Sequence, residues 1–162
     1  MSLKMIRLQP EQDFDTPFDN ACDGFNQRWW SDPTLVSTPF HQLEDDCWSF
    51  LDEGDEVARA VLSDATINGD NYKGLRGTIT VKDIAFFEVR QQYRRRGVGD
   101  KAVAMLRSHY RGQVLSAFPI DKVADSFWAA TGFTYYPRID RADIRSSSHR
   151  RHDPLFLFEI KA

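Results

Sequence analysis

Residues 94–99 of this 162-residue chain read Arg94-Arg95-Arg96-Gly97-Val98-Gly99. They join an apolar run over residues 80–89, which predicts a strand, to an amphipathic run over residues 100–110, which predicts a helix. Glycines let backbone N–H groups come close to a ligand at the positive end of the following helix. Arginines add charged donors, each contributing about 1.5–3 kcal/mol. The stretch predicts a pyrophosphate-binding turn, with a plain solvated turn as the alternative.

The spacing of these glycines does not fit the loops that bind ATP or NAD. The chain contains neither Gly-x-x-x-x-Gly-Lys-Ser/Thr nor Gly-x-Gly-x-x-Gly. The remaining pattern is Arg94-x-x-Gly97-x-Gly99, preceded by Tyr93. It resembles the loop with which the GNAT superfamily of N-acyltransferases binds the pyrophosphate of acetyl-coenzyme A.

A second motif downstream resembles the same superfamily. It reads Asp121-x-x-Ala124-x-x-Phe127-Trp128-x-x-x-Gly132-Phe133. Members of the family usually carry Asn at the position of Asp121 and Tyr at the position of Trp128. One predicted helix and one short predicted strand separate the two motifs, as they do in the family. The resemblance covers about residues 47–136.

Periodicity and turn signals predict the order of the elements. The predicted elements are a strand at 5–8, helices beginning at Thr16-Pro17 and Thr38-Pro39, a hairpin of strands 47–52 and 56–62, a polar loop at 63–77, strand 80–89, helix 100–110, strand 114–118, helix 122–131 capped by Asp121 and ended at Gly132, and strands 133–136 and 155–160. The resemblance implies a single α/β domain over residues 1–162. Its mixed, mostly antiparallel sheet would have splayed fourth and fifth strands and helices on both faces.

Composition narrows the classes of function. A hydrophobic content of 41% with 28% charged residues indicates a globular chain, and a net charge of -3 argues against a nucleic-acid partner. No apolar run approaches the ~18 residues of a membrane span, so we expect a cytoplasmic protein without a membrane partner. Cys22 and Cys47 lack the spacing of metal ligands and are predicted to be buried thiols.

The resemblance implies acetyl-coenzyme A as the acyl donor and no metal. Backbone amides near Phe87 and Val89 would meet the thioester end of the donor. The expected donor-binding residues are Phe87, Val89, Arg94, Arg95, Arg96, Gly97, Val98, Gly99, Asp121, Phe127 and Trp128. An ionised Asp121 accepts a hydrogen bond but cannot donate one, unlike the usual Asn.

Three residues are candidates for proton transfer. Asp83 and Glu88, on opposite faces of the strand at 80–89, are candidate bases for the acceptor amine. Trp128 at the usual tyrosine position cannot give up a proton usefully. Tyr135 is therefore a candidate acid for the leaving thiolate; the alternatives are Tyr136, protonation by water, or a chain that has lost catalysis. In the alternative interpretation Asp83 ends a turn after Lys82, Glu88 pairs with an arginine and Tyr135 packs in the core.

The acceptor is predicted to be an amine of a small molecule or peptide, acetylated directly in a ternary complex. Charge gives conflicting indications, because residues 11–56 are acidic whereas residues 138–152 are rich in arginine. Phe25, Trp29 and Trp30 either line an acceptor pocket or pack in the core. The competing hypotheses are a non-catalytic coenzyme A-binding module and an interaction protein that binds an acidic partner or RNA. The resemblance also raises the expectation of a homodimer.

Overall fold

The computed structural model describes residues 2–9, 17–19, 22–26, 30, 45–143 and 152–159. Its strands are β1 Leu3–Leu8, β2 Asp46–Asp52, β3 Asp55–Asn68, β4 Thr78–Val89, β5 Val114–Ala117, β6 Thr134–Tyr136 and β7 Leu155–Glu159. Its helices are α1 Val98–His109 and α2 Lys122–Ala130, with short 3-10 turns at Gly69–Asn71 and Gln91–Tyr93. The helix predicted to begin at Thr38 lies outside the described residues.

The strands form one seven-stranded sheet in the order β1-β2-β3-β4-β5-β7-β6. β4 pairs with β5 in parallel, whereas β1 with β2, β2 with β3, β5 with β7 and β6 with β7 pair antiparallel. The parallel ladder joins Lys82 to Leu115 and Asp83 to Ser116, although β4 runs on to Val89. The predicted mixed, mostly antiparallel α/β sheet is therefore confirmed, and the short parallel ladder agrees with the predicted splaying of the fourth and fifth strands.

The chain divides into two compact units, each built from separate segments. The first contains Met1–Ser63 and Ala85–Leu106, and the second contains Asp64–Ile84 and Arg107–Ala162. Buried side chains of the first unit cluster at Phe18, Phe25, Trp30, Cys47 and Val61. Those of the second cluster at Ile67, Tyr72, Val81, Leu155 and Leu157. The single domain over residues 1–162 stays a prediction.

The hairpin of β2 and β3 forms as predicted. Asp52 pairs with Asp55, and the two residues between them, Glu53 and Gly54, have φ values of 50° and 88°. Two consecutive positive φ angles match the right-handed twist of the flanking strands.

The polar loop predicted at residues 63–77 is wrong over its first part, because β3 continues to Asn68. Ile67 is buried and Ala65 half-buried, and both pack in the second cluster, while Asp64 and Thr66 face solvent. This alternation with a period of two is that of a strand with one wet face. The polar residues on the exposed face concealed it in the sequence.

The helix predicted to begin at Thr16 is wrong over residues 17–19 and 22–26, where the backbone bends and turns. Gly24 has a φ of 91°, and its carbonyl accepts a hydrogen bond of 2.9 Å from the N–H of Gln91. Phe18 and Phe25 are buried, so their spacing reported burial and not helical geometry. Trp29 lies outside the described residues.

Both predicted helices of the second half of the chain form. The Asp121 carboxylate caps α2 by accepting a 2.8 Å hydrogen bond from the N–H of Ala124, and Gly132 follows the helix with a φ of 93°. α1 buries Val98, Ala102 and Leu106. No helix in the described part of the chain is long and apolar enough to cross a membrane.

Candidate active site

The turn at residues 94–99 has the backbone geometry that an anion site requires. Arg95 and Gly97 have φ values of 63° and 78°, and α1 begins at Val98. A Cβ atom placed on Gly97 would meet no atom within 4 Å, so this backbone is open to a ligand. N–H groups in the first turn of a helix have no intrahelical partner and attract anions. The residues present therefore fit the pyrophosphate group that the sequence predicted here.

The three arginines of this turn differ in their contacts. Arg94 donates from Nε to the carbonyl of Val89 at 2.9 Å and from its Nη2 to Glu88 Oε2 at 3.2 Å. The Arg96 guanidinium lies 5.7 Å from the centre of the Tyr93 ring. Arg95 and Arg96 are exposed to solvent. The side chain of Arg94 therefore binds the end of β4 by hydrogen bonds, whereas Arg95 and Arg96 face solvent.

The carboxylate of Glu88 is occupied by three donors. Its Oε1 accepts hydrogen bonds of 2.8 Å from the backbone N–H of Asn26 and from Trp30 Nε1, and its Oε2 faces Arg94. This arrangement matches the alternative in which Glu88 pairs with an arginine. Both carboxylate oxygens of Glu88 are therefore engaged by protein donors, and a substrate proton would have to compete with those donors for them.

Asp83 lies within β4, five residues after the strand begins at Thr78, so the alternative in which it ends a turn after Lys82 is wrong. Ser116 Oγ donates a 2.8 Å hydrogen bond to Asp83 Oδ1. Burial raises the pKa of Asp83 to about 6, and the Ser116 hydroxyl partly offsets that increase. A carboxylate with this pKa is ionised at neutral pH and is basic enough to accept a proton.

The aromatic residues of the second motif pack against each other. The Trp128 ring is buried, with its centre 5.0 Å from Phe127 and 5.0 Å from Phe133. Asp121 is engaged as the cap of α2. The assignment of Asp121, Phe127 and Trp128 to the acyl donor stays a prediction.

Tyr135 is tied into a buried network. Its hydroxyl donates a 2.9 Å hydrogen bond to Asp143 Oδ2, and Asp143 Oδ1 accepts from the backbone N–H of Arg138 at 3.2 Å. The phenol proton of Tyr135 is therefore directed to a carboxylate. Asp143 gave no signal in the sequence, because its partners lie in other elements.

In the described part of the arginine-rich segment, Arg138 is held by one nearby and one distant residue. Arg138 forms a 2.9 Å ion pair with Asp140, and its guanidinium lies 5.5 Å from the Tyr72 ring centre. The hydrogen bonds that Arg138 donates to the Asp140 carboxylate raise the pKa of Arg138. Arg145, His149, Arg150 and Arg151 lie outside the described residues.

Cysteine chemistry and metal binding find no support in the residues that the structure describes. Burial raises the pKa of the Cys47 thiol to about 12 and also raises that of Cys22. Within the described ranges no three His, Cys, Asp or Glu side chains group together as metal ligands.

A charged cluster that the sequence interpretation missed lies in the first unit. Arg59 of β3 is 0% exposed and pairs with Glu56 at 2.7 Å. Its guanidinium lies 4.0 Å from the centre of the Phe25 ring. A single charge in the apolar run Val57-Ala58-Arg59-Ala60-Val61 was the available signal.

No protein-family model and no curated protein matches this chain. Solved structures do match along nearly its whole length. The Bacillus subtilis N-acetyltransferase YlbP in complex with coenzyme A is 16% identical, with a TM-score of 0.54 over 98% of this chain and 97% of that one. The Escherichia coli ribosomal-protein-S18-alanine N-acetyltransferase is 14% identical, with a TM-score of 0.53 over 99% and 97%.

A third similar structure is AtaT complexed with acetyl-methionyl-tRNAfMet, which is 12% identical with a TM-score of 0.62 over 98% of this chain and 95% of that one. Its complex with tRNA conflicts with the expectation that a nucleic acid is excluded as a partner. At these identities the likeness shows the fold. The chain has the fold of the GNAT N-acetyltransferases, to which its two motifs also point.

Proposed function

We propose that this protein transfers the acetyl group of acetyl-coenzyme A directly to an amine. The observation that carries the proposal is the open, positive-φ glycine turn between β4 and α1, flanked by exposed arginines. The fold adds support, because the similar YlbP structure contains coenzyme A.

The chain offers distinct groups to the two ends of this donor. Backbone N–H groups of Gly97, Val98 and Gly99, with the guanidinium groups of Arg95 and Arg96, would bind the pyrophosphate. Arg94 would join them only by leaving Glu88. Backbone groups at Phe87 and Val89 would bind the arm that carries the acetyl group. Acetyl-coenzyme A supplies an activated acyl group when bound.

Asp83 is the proposed base for the acceptor amine. An alkylammonium has a pKa near 10.4 and an α-ammonium one near 7.7–8.0, so the amine must lose a proton before it attacks. The raised pKa of Asp83 suits it to this transfer. The carboxylate of Glu88, in contrast, already accepts hydrogen bonds from three protein donors. Tyr135 remains the proposed acid for the thiolate, and it would have to exchange its bond to Asp143 for one to the leaving group.

The proposed acceptor is an amine on a small molecule or peptide, and an aminoacyl-tRNA is a second candidate. AtaT, in complex with an acetylated aminoacyl-tRNA, motivates the second candidate. A coenzyme A-binding module without catalysis is the competing function, motivated by the packed Trp128 at the usual tyrosine position.

The donor site is tested by isothermal titration with acetyl-coenzyme A, with ATP and NAD as competing nucleotides. Gly97→Trp should weaken binding about 10-fold to 150-fold, the equivalent of one charged hydrogen bond lost. Gly74→Trp is the matched control, because Gly74 also has a positive φ, of 86°, and open space around its Cβ position. Equal affinity in both variants would refute the assignment of the turn. Release of coenzyme A with an amine panel then separates the enzyme from the binding module.

A further inference from the structure

The guanidinium of Arg59 is partnered on one side. Its Nε and Nη2 both reach Glu56 Oε1, at 2.9 Å and 2.7 Å, and Nη2 also donates to the carbonyl of Asp19 at 2.9 Å. Ser49 Oγ donates to the other oxygen of Glu56 at 2.5 Å. The positive charge of Arg59 is therefore neutralised by the negative charge of Glu56.

Aromatic rings surround the same guanidinium. Its central carbon lies 4.0 Å from the ring centre of Phe25, 5.1 Å from that of Phe18 and 5.7 Å from that of Trp30. Rings at these distances stabilise a cation but supply no hydrogen-bond acceptor in the plane of the guanidinium.

The other terminal nitrogen of Arg59, Nη1, has no hydrogen-bond partner, and in the described part of the chain no other buried side-chain nitrogen or oxygen shares this condition. Leaving a buried donor of a charged group unsatisfied is costly, and native structures retain such groups rarely. Nη1 carries two N–H groups that point in different directions, and either of them can donate to an oxygen atom of a ligand.

The surrounding charges indicate whether this ligand oxygen belongs to a carboxylate or to a neutral carbonyl group. Arg90 pairs with Asp23 at 2.6 Å, Arg94 pairs with Glu88 at 3.2 Å, and Arg59 pairs with Glu56. A ligand carboxylate would therefore bring an uncompensated charge into the buried surroundings of Arg59, which is strongly unfavourable. A neutral carbonyl oxygen gives Nη1 a hydrogen-bond acceptor and adds no charge.

The position of Arg59 connects it with the proposed reaction. Trp30 packs near Arg59 and also donates its indole N–H to Glu88 of β4. Glu88 lies between Phe87 and Val89, whose backbone groups are proposed to bind the acetyl-bearing arm. An acceptor held by Arg59 is thus held beside this stretch of β4.

We infer that Nη1 of Arg59 binds a neutral carbonyl oxygen of the acceptor, so that the acceptor is an α-aminoacyl compound, such as a peptide N-terminus or an aminoacyl ester. This inference rests on the proposed function. Because Arg59 is 0% exposed, the side chains that cover Nη1 must move to admit the acceptor.

The test compares three matched probes that share one side chain: an L-amino acid amide, the free L-amino acid and the amine without the carbonyl carbon. The comparison is repeated for probe sets with several different side chains. The wild-type protein should bind the amide, in the presence of coenzyme A, and acetylate it at least about tenfold better than the other two. Arg59→Lys keeps a cation for Glu56 but loses Nη1, so it should lose the preference for the amide.

Two controls keep the test specific. An α-amine in an amide loses its proton more readily than an alkylamine, but this bias is identical in wild type and variant, so only the difference between the two proteins is counted. Arg7→Lys is the matched variant, because Arg7 forms a 2.7 Å ion pair with Asp46 at a half-exposed position. It should leave binding and transfer unchanged.

The outcomes separate the inference from the function on which it rests. Equal use of all three probes, preference for the free amino acid, or an unchanged preference in folded Arg59→Lys would overturn the role of Arg59. Failure to release coenzyme A with any amine would overturn the proposed function, and amide binding lost in Arg59→Lys would then still support the site. If Arg59→Lys does not fold, Phe25→Leu replaces it and should reduce the amide preference.

Discussion

At the scale of single residues, the proposed chemistry depends on the different surroundings of two carboxyl groups, those of Asp83 and Glu88. Asp83 has one hydroxyl partner and a pKa raised to about 6, whereas Glu88 is surrounded by donors. The difference arises from the partners around each group, since both residues lie on β4. The two therefore differ in the tasks they suit.

Asp83 should control both activity and stability as the pH changes. A base must be ionised, so kcat/KM should fall as the pH drops below about 6, and Asp83→Asn should lower the rate by about 10²-fold to 10⁴-fold. Ser116→Ala removes a hydrogen bond that lowers the pKa of Asp83, so the acid limb should move to higher pH. A limb that stays in place in Ser116→Ala would contradict the assignment.

The same group makes a prediction about folding. Its pKa in the folded protein exceeds the reference value of 3.8, so the folded state binds more protons between pH 4 and 6 and loses stability as the pH rises through that range. The difference corresponds to about 3 kcal/mol at neutral pH. Urea unfolding at pH 4 and pH 7 should therefore show a smaller pH dependence in Asp83→Asn than in wild type.

At the scale of elements, the start of α2 shows one residue with two candidate roles. Asp121 caps the helix through Ala124, and it also occupies the Asn position of the family motif. Helix capping is a local requirement that Asp and Asn satisfy equally well.

Substitution of Asp121 should separate these roles. Asp121→Ala should lower the free energy of unfolding by about 0.5–2 kcal/mol, whereas Asp121→Asn should preserve it. If Asp121 also contacts the acyl donor, Asp121→Asn should bind acetyl-coenzyme A at least as tightly as wild type, because an amide can also donate. Calorimetric unfolding and titration measure the two effects independently, and equal stability of all three proteins would refute the cap.

At the scale of the whole molecule, hydrogen bonds between residues far apart in the sequence attach Asn26 and Trp30 to β4. Glu88 accepts from Asn26 and Trp30, which precede it by 62 and 58 residues. The rings of Phe18, Phe25 and Trp30 also pack around Arg59 of β3. Described residues between positions 18 and 30 therefore contact both β3 and β4.

Glu88 is therefore predicted to stabilise the fold. Glu88→Ala leaves the buried indole N–H of Trp30 without an acceptor and should lower the free energy of unfolding by about 1–3 kcal/mol. Glu88→Gln retains an oxygen for Asn26 and Trp30 and should cost less. Both are measured by chemical denaturation with Trp fluorescence. A large rate loss in Glu88→Gln at unchanged stability would instead support Glu88 as the base.

The local features of this protein follow from short stretches of its sequence. The hairpin at Glu53 and Gly54, the turn at residues 94–99, and the cap and end of α2 at Asp121 and Gly132 were all predicted. Each follows from conformational or hydrogen-bonding preferences of a few neighbouring residues. The fold could be predicted because the motifs at residues 94–99 and 121–133 are separated by one helix and one short strand, as in the family they resemble.

Contacts between side chains, in contrast, become visible when the chain is folded. Arg59 meets Asp19 and Phe25, and Glu88 meets Asn26 and Trp30, across long stretches of sequence. The extension of β3 through Ile67 depends on a core that the local pattern does not reveal. Periodicity reports that a residue is buried, but not whether its backbone is helical, as Gly24 between Phe18 and Trp30 shows. Burial and charge pairing depend on the whole packed chain, and they set the pKa of Asp83 and leave Arg59 Nη1 without a partner.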